Sequence, residues 1–260
     1  MLTNPLRAAL QSYYPVALEL FDDLDSPTAL AFLREFPTLE AAQKASLFRL
    51  AEWLRAHRHP KAHEKAVAIY HALRQPHLTV PPAVVEAKTR RVLALVAQLE
   101  TLQEHIRGYE AEIERLLKAH PDGEIFRSLP GAGTLLAARM LGSPGDRRDR
   151  YGDVRAVQAL AGTAPLTRPS GKRTVVGFRR ACEKPFRTAM TQFAFCSLQP
   201  CRWAREYYQA KRAAGYRHPA ALRALAHIGL RILFAMWRRR ESYDECRFLQ
   251  ARRPLGTAAA

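Results

Sequence analysis

The sequence predicts a mainly α-helical protein: a helical N-terminal region, one long coiled-coil helix, and a basic C-terminal domain containing a helix-hairpin-helix. Three observations carry this. Apolar residues recur at helical spacing through most of the 260 residues. Residues 82–119 hold a sustained heptad pattern. The charge is also unevenly placed. Of the net +17, residues 1–80 carry +1 and residues 81–120 carry none, whereas residues 121–260 set 26 Lys and Arg against 10 Asp and Glu. Concentrated positive charge points to a polyanionic partner, DNA first among them. An apolar fraction of 48 % excludes a disordered chain. The expected boundaries are 1–81 for the helical region, 82–120 for the long helix, 121–250 for the basic domain, and 251–260 for a disordered tail.

Residues 5–21 read as a helix interrupted at Pro15. LDSPTALAFLREF offers Asp25 or Ser26 as N-cap, Pro27 at the first helical position, and an apolar face of Ala29, Leu30, Phe32 and Leu33. Pro37 and Thr38 start a helix expected to run through Leu50. Short helices continue to Pro76. His57, His59, His63, His71 and His77 have no carboxylate or Cys at ligand spacing, so they read as solvated helix residues.

The heptads take Val85, Val92, Leu99, Ile106 and Ile113 at a, and Lys88, Leu95, Leu102, Tyr109 and Leu116 at d. Nine of these ten positions are apolar or aromatic. Such a helix is ~57 Å long at 1.5 Å per residue. Two readings stand: a coiled coil, favouring two strands by its β-branched a positions, or one long helix packed in a bundle. Gly108 weakens the helix by roughly 1 kcal/mol, and Pro121-Asp122-Gly123 stops it.

EIFRSLPGAGTLLAARML follows. Its Leu129-Pro130-Gly131-Ala132-Gly133 core, with Ala137 beyond, has the form of a helix-hairpin-helix. Gly131 and Gly133 would let the backbone approach a phosphate where the second helix opens with free N–H groups. That mode reads the DNA backbone rather than the bases. A Gly-rich helical corner without DNA is the alternative.

A polar loop leads to a helix from about Val154 to Leu160. AGTAPLTRPSGKRTVVGFRR then sets Ser170 between Pro169 and Gly171, with Arg168, Lys172, Arg173, Arg179 and Arg180 around it. Pro and Gly favour a turn there. The cations would attract phosphate and stabilise charge on a transferring phosphoryl group; a surface Ser-Gly turn in a basic protein is the alternative. Thr174–Phe178 suggests a short strand. The rest is helical: Trp203, Tyr207 and Tyr208 read as core rather than base-stacking platforms, and Arg238–Arg240 as a basic helix end open to phosphate.

Cys182, Cys196, Cys201 and Cys246 form no disulfide framework, and no His pair follows Cys196 and Cys201 at finger spacing, so no metal is expected in this chain. No P-loop or dinucleotide fingerprint supports a small-molecule enzyme. No signal peptide stands at Met1, and the apolar stretch around Ile228–Trp237 is broken by Arg231 and too short to span a bilayer. A cytoplasmic protein without membrane partners is the expectation.

Taken together, residues from about 10 to 247 resemble the insertion-sequence one-ten transposases related to the Piv/MooV invertases. The matching pieces are YPVALELFDDLDSPTALAFLREFPT, the heptad helix, LPGAGTLLAARMLG, AVQALAGTAPLTRPSGKRT, RRAC and WAREYYQAKRAAGYRHPAALRALAHIGLRILFAMW. The resemblance implies a C-terminal transposase domain whose nucleophilic serine is Ser170, attacking a DNA phosphodiester to give a 5′-linked covalent intermediate. It also implies an element-encoded guide RNA, assembly as a dimer or tetramer through the coiled coil, and an N-terminal RuvC-like domain with an acidic Mg2+-binding tetrad. Nothing in this chain matches that tetrad, so Mg2+ is expected only with a RuvC-like domain supplied from elsewhere. Without it the chain is expected to be inactive, as a truncated element copy or half of a split product. Glu183 departs from the family's usual Asn and would oppose phosphate if it faced the site. A non-catalytic, dimeric DNA-binding protein recognising backbone or branched DNA is the other reading.

Overall fold

A computed structural model describes residues 2–77, 79–170 and 173–252, with the backbone alone at 167–170, 173–176, 251 and 252. The described chain is helical apart from one two-stranded hairpin. It divides into two compact units, 1–108 and 109–260.

In the first unit, α1 (Thr3–Gln11) ends before a 3-10 turn at Pro15–Leu18, as Pro15 requires. Helix α2 (Pro27–Glu35) is capped by Ser26, whose Oγ accepts the Ala29 N–H at 3.2 Å. The single helix expected from Pro37 to Leu50 is two, α3 (Leu39–Gln43) and α4 (Leu47–Ala56). Ser46 causes the break: its Oγ takes the Arg49 N–H at 3.1 Å and starts a new helix instead of continuing the old one. Helix α5 (Ala62–Leu73) follows, then α6 (Pro82–Ala119).

The unit's core gathers Leu6, Leu10, Tyr14, Leu33, Leu54 and Ile69 around Phe32, whose ring lies 5.0–5.6 Å from those of Phe21, Phe36 and Trp53. Of the expected histidines, His57 stacks on Trp53 at 3.9 Å, and His63 and His71 are exposed.

Helix α6 spans the residues its heptads predicted, yet its seam is used unevenly. Val92, Val96 and Leu99, one helical stripe, are buried in the first unit's core. Each contributes roughly 1.5–3 kcal/mol there. Farther along, Leu102 and Ile106 are 48 % and 53 % exposed, and in the second unit Tyr109 and Leu116 are 70 % and 53 % exposed. The bundle reading therefore describes the first half of the helix.

The second unit begins with the end of α6, where Leu117 is buried, and continues through α7 (Gly123–Arg127) and α8 (Thr134–Gly142). Asp153 caps α9 (Val154–Leu160), accepting the Ala156 N–H at 3.1 Å. The strands β1 (Leu166–Ser170) and β2 (Arg173–Gly177) come next, then α10 (Lys184–Cys196), α11 (Arg202–Ala213), α12 (His218–Arg239) and α13 (Glu245–Arg252). The last helix carries the fold two residues past the expected boundary at 250; Pro254–Ala260, expected to be a disordered tail, lie outside the described residues.

Helix α12 runs well beyond the apolar stretch Ile228–Trp237 and is, by length and composition, apolar enough to cross a membrane. Its apolar residues are those of a core helix: Leu222, Leu225, Leu230, Leu233 and Trp237 are buried within the unit. Gly229 permits the close crossing with α10, since a Cβ there would stand 2.8 Å from Phe193 Cε1. A buried polar knot ties the end of α6 to α12. Asp122 accepts Arg148 Nη2 and Trp237 Nε1, each at 3.0 Å, while Arg148 Nη1 donates to the Trp237 carbonyl at 3.2 Å.

Candidate nucleic-acid interface

The hairpin places the serine. Strand β1 pairs antiparallel with β2, Leu166 opposite Gly177, Arg168 opposite Val175, and Ser170 opposite Arg173. Ser170 thus closes the first strand, and the turn expected from Pro169 and Gly171 falls partly outside the described residues. Opposed residues share a sheet face, and successive residues along a strand change face. Positions 168, 170 and 173 therefore lie on one face of the ladder, a placement that spacing alone did not reveal. Gly171 and Lys172 lie outside the described residues. The expected strand Thr174–Phe178 is Arg173–Gly177, and its partner Leu166–Ser170 was not anticipated.

Beyond β2, Phe178, Arg179 and Arg180 are held by a residue that sequence reading passed over. Arg187, on α10, donates from Nη2 to the carbonyls of Arg179 at 2.8 Å and Arg180 at 3.1 Å. Its guanidinium carbon lies 4.5 Å from the Phe178 ring centroid, and that of Arg223, from α12, lies equally near. Gly162 makes room for this clamp. It has φ +64°, and a Cβ there would meet Arg187 Nη2 at 2.8 Å and Cys182 Cβ at 2.9 Å.

Two features of this cluster favour an anion. The Nε atoms of Arg179 and Arg187 are buried without a hydrogen-bond partner. A buried donor left so costs about 1–3 kcal/mol, which an acceptor would relieve. In addition, neither Arg187 nor Arg223 has a carboxylate in the ion pairs of the described residues.

Glu183, whose charge threatened the site, is otherwise engaged. It is the N-cap of α10, where its carboxylate accepts the Phe186 N–H, and its own N–H donates to the Leu160 carbonyl at 2.8 Å. The cap bond leaves the carboxylate charged, one helical turn before Arg187. Nearby, His227 Nδ1 lies 3.3 Å from Thr163 Oγ1. Burial, reinforced by Arg231, holds its pKa below the usual imidazole value, which favours the neutral ring.

The two glycines of the predicted hairpin separate in role. Gly131 has φ +84°, and a Cβ there would fall 2.8 Å from the carbonyl carbon and oxygen of Cys196. The close approach that its missing side chain allows is thus to protein backbone at the end of α10. Gly133, the residue before α8, has open space where a Cβ would stand. Only Gly133 keeps the geometry expected for approach by a phosphate.

Among the described residues, no three His, Cys, Asp or Glu side chains come together as a metal would require. Asp122 is committed to Arg148 and Trp237, Asp153 and Glu183 to helix caps. The described carboxylates do not fit a Mg2+ centre.

Residues 123–209, which include the α7–α8 turn, the hairpin and the Arg187 clamp, match the family model described as Transposase IS116/IS110/IS902 family. The chain is 34 % identical over 99 % of its length to 63 % of the "Mini-circle putative transposase for IS117" of Streptomyces coelicolor. It is 30 % identical over 99 % of its length to 62 % of an IS110 insertion-element protein of the same species. A match at 29 % identity covers 91 % of the chain and 59 % of an IS116 insertion-element protein of Streptomyces clavuligerus. The chain thus spans about three fifths of the length of the curated relatives it matches. By its family-model match and these relatives, it is similar to the insertion-element transposases of the IS116/IS110/IS902 family.

Proposed function

We propose that this chain supplies the serine-bearing, DNA-binding part of an insertion-element transposase, related to the Piv/MooV serine recombinases. The observation that carries the reading is the hairpin register, which puts Ser170 on one face with Arg168 and Arg173 and continues directly into the Arg187-clamped segment Phe178–Arg180. The oxygen of Ser170 attacks a DNA phosphorus. An Oγ–P bond forms, the bond from phosphorus to the 3′ oxygen breaks, and the released 3′ oxygen takes up a proton. Arg168, Lys172, Arg173, Arg179 and Arg180 offset charge on the phosphoryl group. Gly131 and Gly133 belong to the turn that leads α8 to the backbone of the same DNA.

A serine hydroxyl needs a base to take its proton. Asp122, Asp153 and Glu183 are engaged elsewhere, and we place the base on a RuvC-like domain outside this chain, together with any Mg2+. In this reading a guide RNA selects the DNA, the exposed half of the α6 seam joins copies of the chain into a dimer or tetramer, and the complex works in the cytoplasm. That no three His, Cys, Asp or Glu side chains come together among the described residues favours a second reading, in which the chain alone is a non-catalytic, dimeric DNA-binding protein.

The test uses supercoiled DNA bearing the element ends, with the RNA and a RuvC-like partner supplied. The parent chain is expected to yield a covalent DNA–protein adduct, and Ser170→Ala none while binding DNA as well as the parent. Equal adduct from both proteins would refute the nucleophile. Absence of adduct from the parent, with DNA binding intact, would favour the second reading.

A further inference from the structure

The two legs of the hairpin that carries Ser170 are held to the helices in different ways. The entering leg is fixed by the end of α9, where the N–H groups of Thr163 and Ala164 donate to the Gln158 carbonyl at 3.0 and 3.2 Å. The Gln158 side chain in turn donates to the His227 carbonyl of α12 at 3.1 Å. Among the described residues, the leaving leg Phe178–Arg180 has no such backbone tie. Its hydrogen bonds to the helices are the two from Arg187 Nη2, and the next backbone bond to α9 comes only at Glu183.

Arg187 is seated from several sides at once. Nη2 serves two carbonyls, and the guanidinium carbon lies over the Phe178 ring. Nε is buried beside Gly162, where a Cβ would meet it at 2.9 Å. The arrangement matters because a two-stranded hairpin is only marginally stable by itself. Its direction is therefore set where it joins the helices. Ser170 stands four residues along β1 from Leu166, about 13 Å at 3.3 Å per residue. Over that length a tilt of about 5° moves the serine by about 1 Å, and a misplacement of that size costs about 10²-fold in rate.

We infer that Arg187 is a positioning residue: by bridging the carbonyls of Arg179 and Arg180 against the Phe178 ring, it fixes the angle at which the hairpin presents Ser170. This role rests on the reading of Ser170 as the nucleophile. Arg187 acts through the strand and does not touch the reacting phosphate. Charge alone does not supply the role. A Lys at this position keeps the charge, but it ends one atom short of Nη2 and has no planar group to set against the ring.

The experiment has two arms, both on the full chain. Hydrogen exchange of peptides spanning 173–180 reads the clamp. The rate of covalent adduct formation on supercoiled DNA bearing the element ends, with the RNA and a RuvC-like partner supplied, reads Ser170. Arg187→Ala and Arg187→Lys should each speed exchange of those peptides by about tenfold or more, the size of a lost bond from a charged donor. Both should slow adduct formation by about 10²-fold. DNA binding should keep the parent's salt slope, which a lost phosphate contact would lower by about 1. Gly162→Ala, whose Cβ would displace the guanidinium, should act alike with every charge in place. Ser170→Ala should exchange like the parent, and the Tm of Arg187→Lys should stay within about 4 °C of it.

Parent-like exchange in Arg187→Ala would show that no clamp exists. A parent-like adduct rate in Arg187→Lys would show that charge suffices, and a lowered salt slope that Arg187 is a phosphate contact. A larger fall in the Tm of Arg187→Lys would let general loss of structure explain both arms. Each of these overturns the positioning role alone. No adduct from the parent overturns the nucleophile and this role with it, so the two failures are distinct.

Discussion

Replacing Asp122 by Ala tests how the second unit is framed. The Asp122 side chain is 4 % exposed and that of Arg148 18 %, so the pair is shielded from water and its loss is not a surface effect. The substitution removes the acceptor of two buried donors, Arg148 Nη2 and Trp237 Nε1. The guanidinium keeps the bond to the Trp237 carbonyl but loses its counter-charge. Breaking a buried pair from one side costs about 3–5 kcal/mol, and that range already includes the stranded donor, so no separate indole penalty is added. For a unit of about 150 residues, this corresponds to a Tm lower by about 6–20 °C.

The assay is urea unfolding followed by tryptophan fluorescence in a Trp53→Phe background, so that Trp203 and Trp237 report the second unit. Asp122→Asn, which keeps an acceptor oxygen without the charge, should fall between parent and Ala. Asp122→Leu combined with Arg148→Met should recover most of the loss, because no buried charge is left unpaired. A cost below about 1 kcal/mol for Asp122→Ala would show that water reaches the pair and would refute the argument.

Two further outcomes follow from the site and the long helix. Gly131→Ala should destabilise by about 2–4 kcal/mol, from a side chain at positive φ and its overlap with the Cys196 backbone, whereas Gly133→Ala should stay within about 0.5 kcal/mol. Thermal melts of the two variants check this, and a loss of duplex affinity in Gly133→Ala alone would assign that turn to phosphate contact. Ile106→Lys with Tyr109→Lys should reduce the mass measured by light scattering from an oligomer to a monomer without lowering Tm; an unchanged mass would refute self-association through the exposed seam.

Much of this protein was legible in its residues because the signals are local. Ser26, Thr38, Ser46 and Asp153 cap helices by bonds to backbone three residues on. The sequence offered Asp25 or Ser26 as the first cap and Pro37 and Thr38 as a helix start; Asp153 was not singled out, and Ser46 was passed over because the apolar pattern continues through it. The heptads marked α6 to the residue, and the order of motifs carried the resemblance. The arrangement of the site was not legible. Arg187, Arg223 and Gly162 come from α10, α12 and the turn after α9, and nothing in their spacing reveals that they meet around Phe178. The same holds for Gly131, whose need for glycine comes from the end of α10, some 65 residues away in sequence.

The sequence by itself determined that the chain is helical, that its charge is gathered in the C-terminal part, and that Ser170 has cations as neighbours along the chain. Each depends on neighbours along the chain or on composition, which folding does not alter. Only the tertiary structure decided which cations share a face with Ser170, which glycine serves packing, and which half of the α6 seam is already buried. It also decided that Glu183 caps a helix. Those outcomes depend on contacts between segments distant in sequence, where strand register, helix crossing and burial select among side chains of the same type.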